Sequence, residues 1–510
     1  MPHEKILAEL DRRRAAAARM GGAEKLASRK KRGQLSAEER LTALVDDGSF
    51  MELGLLGASA FDADADVTPR DGKITGFGRI DGREVGVVIC EFTTKGASTS
   101  TTNSRKMGFI RKTCTERGLP FVHVGESTGA RLPDAMGSKG MGQMLGNDIT
   151  QFRRTRETPW AAAALDTSFG SSAWQCCCAD FAVMKKGSIM SVSSPRLVSM
   201  AIGEKVDLEA LGGWRLHAEQ TGLIDQFADS DAEAMALLRR FLSYMPSHHR
   251  ELPPVAAISE GSGENQDQLL EIVPEKRTQV YNMKKVIDII FDRDSLLEMK
   301  PRFGRPAIVG LARLGGHSVG VIANNPAVGG GALSADACRK CIDFTVLCDS
   351  FNIPLVRIMD TPGFVVGLEA ERRGAPGQIM NFMNATCLTT VPQITIIARK
   401  AYGRAYVAMG GGAHNDTMVA WPMAEVSFMD PVFATSIVHN LSAGDEGFAD
   451  ALAHIQKDLE IWDMARIFSA QDVIKPQETR AYLIRMFDVH RRRRSGGLGQ
   501  HLMRTWPTSF

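Results

Sequence analysis

The chain repeats itself. The stretch GFGRIDGREVGVV beginning at Gly76 returns as GLARLGGHSVGVI at Gly310, and an offset of 234 residues keeps the copies aligned without a gap. Over the 54 positions from Gly76 to Gly129, 14 residues are identical, where typical residue usage gives about three by chance. The identities include Arg79 and Arg313, Gly86 and Gly320, Arg105-Lys106 and Arg339-Lys340, Cys114 and Cys348, Pro120 and Pro354, and Gly129 and Gly363. After a slip of one residue, Pro159 aligns with Pro392 and Gly170 with Gly403. Self-similarity over so long a period means that one domain has been built twice in tandem.

Each copy reads strand, hairpin turn, strand, Gly-rich loop, helix, strand. Asp81-Gly82 is a hairpin signal. Residues 105–117 have helical period, and Gly118-Leu119-Pro120 stops them. Phe121-Val122-His123-Val124 is a short β run mirrored by residues 355–359. Strands alternating with helices predict an α/β fold in both halves. The polar, Gly/Ser-rich segment SEGSGENQDQ at residues 259–268 suits a linker. The expected division is an N-terminal domain at 1–258, a linker at 259–270 and a C-terminal domain at 271–510.

The 61 basic and 59 acidic residues leave a net charge of +2, which gives no reason to expect nucleic acid or a membrane surface as partner. No apolar run approaches the roughly 18 residues of a spanning helix. The opening MPHEKILAELDRRRAAAARM has no apolar h-region, and its acids do not suit a transit peptide. A cytoplasmic protein is expected. Nine cysteines, three of them adjacent at Cys176, Cys177 and Cys178, are not a disulfide framework. Cys338 and Cys341 lack the second pair that a zinc ribbon needs, so they read as buried thiols one helical turn apart, and no metal is expected.

The chemistry gathers at strand ends. The run Val124-Gly125-Glu126-Ser127-Thr128-Gly129-Ala130-Arg131 and its twin Met359-Asp360-Thr361-Pro362-Gly363-Phe364 each place a Gly-containing turn after a strand. Such turns aim backbone N–H groups outward, where they hold an oxyanion or a phosphate. A lone turn is weak evidence, because strand-to-helix turns need Gly for steric reasons alone; the same turn in both copies is stronger. A second pair follows in DTSFGSSAW at 166–174 and RKAYGRAYVAM at 399–409. No Ser-His-Asp, HExxH or Walker pattern stands in credible context, and the lone His217 reads as structural.

At these residues the chain resembles the β-subunit of propionyl-CoA and acetyl-CoA carboxylases. RGQLSAEERLTALVDDGSFMELG looks like that family's opening segment, GESTGARLPD like its first oxyanion turn, and ALGGWRLHAEQTGLID like its Gly-Gly, His, Thr-Gly stretch. FNIPLVRIMDTPGFVVG, VPQITIIARKAYGRAY and AWPMAEVSFM follow in the family's order. The resemblance covers about residues 30–440. It implies two crotonase-type domains, a homodimer or a homohexamer arranged as a trimer of dimers, CoA mainly on the first domain and biotin reaching from the side of the second. It also implies a reaction in which carboxybiotin releases CO₂, the biotin enolate takes the α-proton of an acyl-CoA, and the thioester enolate attacks CO₂. No biotinylation hairpin or ATP-binding domain is evident, so a biotin carboxylase and a biotin carrier are the expected partner chains.

Carried over residue by residue, the family pattern puts Thr128, Gly129 and Ala130 at the biotin ureido oxygen and Gly403, Arg404 and Ala405 at the thioester oxygen, with the reverse assignment equally compatible. It puts Val407 at the acyl pocket, Tyr406 and Gly170 among the substrate-binding residues, Gly363 and Phe364 on the biotin side, and Arg131 at CoA phosphates, with Lys31 and Arg32 either at those phosphates or a solvated basic run. Three departures stand out. Thr128 and Arg404 each replace a usual Gly, which raises the question of φ, and Met429-Asp430-Pro431 replaces a Met-Gly helix start. Arg404 leads us to expect an unusual or polar acyl group. The same residues leave open an acyl-CoA decarboxylase running the transfer backwards, a biotin-independent CoA-ester enzyme, or a non-catalytic scaffold.

Overall fold

Each copy opens with a two-residue hairpin whose residues all take positive φ: Asp81 and Gly82 at 50° and 77°, Gly315 and Gly316 at 59° and 80°. That is the turn whose twist matches paired strands, and it sets the register Ile80↔Arg83 and Leu314↔His317. The computed structural model describes residues 3–144, 148–149, 152–491 and 499–506. They divide into two compact units, the first ending at His249 and the second running from Arg250 to Trp506.

In the first unit the strands are β1 (Met51–Glu52), β2 (Lys73–Ile80), β3 (Arg83–Cys90), β4 (Phe121–Ser127), β5 (Trp160–Phe169), β6 (Phe181–Lys185), β7 (Ile189–Ser191) and β8 (Gln226–Ala228). In the second they are β9 (Leu297–Met299), β10 (Ala307–Leu314), β11 (His317–Asn324), β12 (Leu355–Thr361), β13 (Gln393–Tyr402), β14 (Thr417–Ala420), β15 (Glu425–Ser427) and β16 (Asp472–Val473). The first sheet runs β1-β2-β3-β4-β5-β6-β8, with β7 also on β5. The second runs β9-β10-β11-β12-β13-β14-β16, with β15 also on β13. In both, the first three strands of the order pair antiparallel and the rest pair parallel. The expected α/β architecture is present in each unit.

The repeat identities have packing reasons. A Cβ on Gly86 would sit 2.1 Å from Cys114 Sγ, and one on Gly320 2.5 Å from Cys348 Sγ. Helices Thr101–Arg117 and Ala335–Ser350 therefore lie directly on the bare backbone of β3 and β11. Lys106 and Lys340 reach from these helices to strand and loop carbonyls: Lys106 to Arg70 and Lys73, Lys340 to Ala307. Burial pulls both ammonium groups down to about 8. The first helix begins earlier than its periodicity predicts, because Ser100 and Asn103 form a capping box ahead of it. Ser334, at the same offset, caps the second helix through the N–H of Ala337. Cys338 and Cys341 are buried free thiols. Among the described residues no helix is long and apolar enough to cross a membrane.

Candidate functional site: paired backbone corners

A hydrogen-bond count at the end of β4 shows which amides are free to act. Thr128 donates its N–H to the Gly96 carbonyl at 3.0 Å, and Arg131 to the Thr99 carbonyl at 2.7 Å. Gly129 donates to Ser127 Oγ at 3.1 Å. The Gly129 carbonyl accepts from Thr99 N at 2.8 Å. A planar peptide with its carbonyl anchored there must turn its N–H, that of Ala130, the other way. Among the described residues that N–H meets no acceptor. Gly129 takes φ of 99° to make the turn.

The second unit repeats this at the same offset. Gly363, with φ of 127°, donates to Thr361 Oγ1 at 3.2 Å, and its carbonyl accepts from Leu333 N at 3.0 Å. Val365 N closes on the Leu333 carbonyl at 2.9 Å. The Phe364 N–H is left facing outward. Isolated parallel bridges at Thr99↔Ala130 and Leu333↔Phe364 express the same geometry.

Beside each turn a helix begins. Gly170, with φ of 60°, caps helix Ser171–Cys178, so the N–H groups of Ser171 and Ser172 lack intrahelical acceptors. A Cβ on Gly170 would lie 3.7 Å from Gly129 Cα, so the two turns form one corner. Thr99 Oγ1 and Ser171 Oγ meet at 2.5 Å across it. In the second unit Gly403 takes φ of 61° at the head of helix Gly403–Ala408, with Arg404 and Ala405 in its first turn. A Cβ on Gly363 would lie 3.9 Å from the Tyr402 carbonyl, which joins these turns too.

The first corner opens into a cavity of about 860 Å³, with Thr99, Ala130, Gly170 and Ser171 at its head and Met107, Phe109 and Trp174 along its wall. That volume is in the range of small-molecule sites. Among the described residues no imidazole lines it, and the one carboxylate there, Asp148, is paired with Arg111. The corner can therefore stabilise negative charge on oxygen, with no side-chain base beside it among the described residues.

The structure thus gathers Ala130 with Gly170, and Gly363 and Phe364 with Gly403, Arg404 and Ala405. Two expectations are corrected. Thr128 is not an open donor, because the Gly96 carbonyl takes its N–H. Arg131 does not face outward to a phosphate: it is buried, with Nη1 on Asp71 Oδ1 at 2.6 Å and Nε on Ser98 Oγ at 3.2 Å. The concern over φ also lapses, since positive φ falls on Gly129 and Gly403 and not on Thr128 or Arg404. Arg404 is exposed, and Val407 and Tyr406 are half-buried. Tyr406 Oη accepts from Gly412 N at 2.8 Å. Lys31 and Arg32 are exposed at the end of helix Ala23–Lys31. Asp430 of the unusual Met-Asp-Pro run caps helix Pro431–His439 through Val432 N and pairs with Arg277 at 2.9 Å. His217 is structural: Nε2 meets the Met190 carbonyl at 2.8 Å, and burial lowers its pKa.

Sequence reasoning passed over Glu126 and Asp360, the buried carboxylates just before each turn. Their signal was positional, since they occupy the same place in the repeat.

The carboxyl transferase domain model matches residues 28–498. A propionyl-CoA carboxylase beta chain of Roseobacter denitrificans is 34% identical over 494 residues, 94% of this chain and 96% of that one. The propionyl-CoA carboxylase carboxyltransferase subunit of Haloferax mediterranei is 32% identical over 95% and 96% of the two chains. The solved hexameric core of transcarboxylase 12S, with methylmalonyl-coenzyme A and methylmalonic acid bound, matches with a TM-score of 0.90 at 30% identity over 97% of each chain.

Proposed function

The chain belongs to the carboxyl transferase domain family, and on that premise we propose that it is the carboxyltransferase subunit of a biotin-dependent acyl-CoA carboxylase. The observation that carries the reading is the duplicated corner, with Gly129 against Gly170 in one unit and Gly363 against Tyr402, next to Gly403, in the other. Transfer of CO₂ to an α-carbon develops negative charge on a carbonyl oxygen of donor and of acceptor, so two fixed sets of N–H donors suit it. The carboxybiotin of a partner chain supplies the CO₂ and, once decarboxylated, the base for the α-proton.

The rest falls to this chain. Ala130 N–H, with the first amides of helix Ser171–Cys178, holds the ureido oxygen. Arg404 and Ala405 N–H hold the thioester oxygen. Each such donor is worth about 2.7–4 kcal/mol of transition-state stabilisation. Tyr406 and Val407 border the acyl group, Gly363 and Phe364 face the biotin side, and Lys31 and Arg32 take over the phosphate contacts from which Arg131 is withdrawn. The domain of residues 1–258 carries CoA and that of 271–510 receives biotin.

A homodimer or a homohexamer assembled as a trimer of dimers is the working form, with a biotin carboxylase and biotin carrier as partner chains. Exposed apolar residues on equivalent helices support assembly: Leu197, Met200 and Ile202 on Pro195–Ile202, and Phe433, Ile437 and Val438 on Pro431–His439. The test is the reverse half-reaction. The chain alone should move labelled carboxylate from a carboxylated acyl-CoA to free biocytin. Hydrolysis or isomerisation of the CoA ester without transfer to biocytin would favour a biotin-independent enzyme instead.

A further inference from the structure

We propose that the N-terminal arm is a working part of the first corner, with Arg29 and Arg40 as positioning residues that neutralise an acid pair at the bulge from which the corner springs. The inference rests on the carboxyl-transfer reading.

The bulge is the same in both units. Between the pairs Gly125↔Ala164 and Ser127↔Ser168, Glu126 of β4 stands opposite three residues of β5, Leu165, Asp166 and Thr167. Between Met359↔Ile397 and Thr361↔Ala401, Asp360 of β12 stands opposite Ala398, Arg399 and Lys400 of β13. The one-residue slip in the repeat makes Asp166 the counterpart of Arg399. The charge at this position is therefore reversed between the copies.

In the second unit the ion pair is complete within the sheet. Asp360 meets Arg399 Nε at 3.0 Å and Lys400 Nζ at 3.4 Å. In the first unit acid faces acid, and the compensating charges come from the arm. Arg29 grips Glu126 bidentately at 2.7 and 2.8 Å, and Arg40 Nη1 reaches Glu126 Oε2 at 2.6 Å. Arg29 Nη2 also lies 3.9 Å from Asp166, which Lys185 meets at 3.1 Å and the Gln34 amide caps. Arg40 and Lys185 share Asp231, each at 2.7 Å. Three cations, Arg29, Arg40 and Lys185, thus balance three carboxylates, Glu126, Asp166 and Asp231. All but Asp166 and Lys185 have side chains no more than 4% exposed. Burial opposes the charge on Arg40, yet Glu126 and Asp231 hold its pKa above the ordinary value.

Removing one guanidinium leaves a buried carboxylate uncompensated. That carboxylate lies one residue before Ser127, whose Oγ accepts the Gly129 N–H. A small displacement there misdirects the Ala130 N–H, and misplacement of a catalytic group by about 1 Å costs up to about a hundredfold. The second corner, neutralised from its own sheet, needs no arm.

The experiment uses the full chain with its biotin-bearing partner. Arg29→Met should lower kcat about tenfold or more, with the KM for acyl-CoA within about twofold. Adding Asp166→Asn to Arg29→Met should recover most of the loss. Arg29→Lys, which keeps the charge without the bidentate grip, should fall between. Circular dichroism and gel filtration report the folded fraction; should Arg29→Met not fold, the double variant and Arg29→Lys carry the test. A folded Arg29→Met with wild-type kcat, or a loss that Asp166→Asn does not relieve, overturns the inference alone. A wild type that transfers no carboxyl group refutes the functional reading and this inference with it.

Discussion

Replacing Gly129 by Ala separates the corner's chemistry from its stability. Gly129 sits at φ of 99°, and the nearest atom to an added Cβ would be Phe169 Cβ at 3.8 Å. That is ordinary contact, so the cost is backbone strain of about 1–3 kcal/mol. In a unit of this size it lowers the melting temperature by roughly 2–4 °C per kcal/mol, and the variant stays folded at 25 °C. The chain relieves the strain by rotating the peptide between residues 129 and 130, which carries the Ala130 N–H. Losing one such donor costs about 100- to 1000-fold in kcat. Gly48→Ala is the control: φ is 65° with nothing within 4 Å, so it carries comparable strain far from the turn. Steady-state carboxylation with an acyl-CoA, read beside a thermal melt, measures both quantities. A folded Gly129→Ala enzyme whose kcat stays within about threefold of wild type would refute the role given to the Ala130 amide.

Three further outcomes are expected. Gly86→Ala drives a methyl into Cys114 Sγ and should cost about 1–3 kcal/mol in urea unfolding; Cys114→Ala in the same chain should return part of it. Lys340 is pulled down to about 8 by burial, below its unfolded value of about 10.4, so between about pH 8 and 10.4 the unfolded chain binds more protons and this group makes stability rise with pH. Lys340→Met should flatten that rise by up to about 3 kcal/mol, measured by unfolding across the same window. Arg404 is exposed at the second corner, so Arg404→Gly should raise kcat/KM for acetyl- or propionyl-CoA and lower it for an acyl group bearing a carboxylate; equal rates on the unbranched substrates in variant and wild type would remove Arg404 from recognition.

The duplication was legible because packing enforces it: Gly86 with Cys114, and Gly320 with Cys348, keep a helix on a strand in both copies, and neither partner can change alone. The hairpins and the positive-φ turns were legible because Gly is needed at those angles. Donor identity was not, because it depends on which carbonyl lies nearby. The Gly96 carbonyl that takes the Thr128 N–H lies 32 residues upstream, and nothing at Thr128 itself announces it. Arg131 misled for the same reason, since its partner Asp71 is 60 residues away. The start of helix Thr101–Arg117 was hidden by a run of Ser and Thr that reads as loop until Ser100 is seen as its cap. The acid pair of Glu126 and Asp166 lies in plain sight, but only pairing β4 with β5 brings the two together.

The central claim, carboxyl transfer from biotin to an acyl-CoA, is tested most directly by labelled bicarbonate. The chain and its co-purifying biotin subunit are supplied with ATP and a panel of acyl-CoAs, beside the Gly129→Ala variant. Label fixed into one acyl-CoA, dependent on ATP and on the biotin subunit and nearly abolished in the variant, is the expected result. No fixed label despite a biotinylated partner in the preparation, or turnover of a CoA ester that persists when every biotinylated protein has been removed, would contradict it.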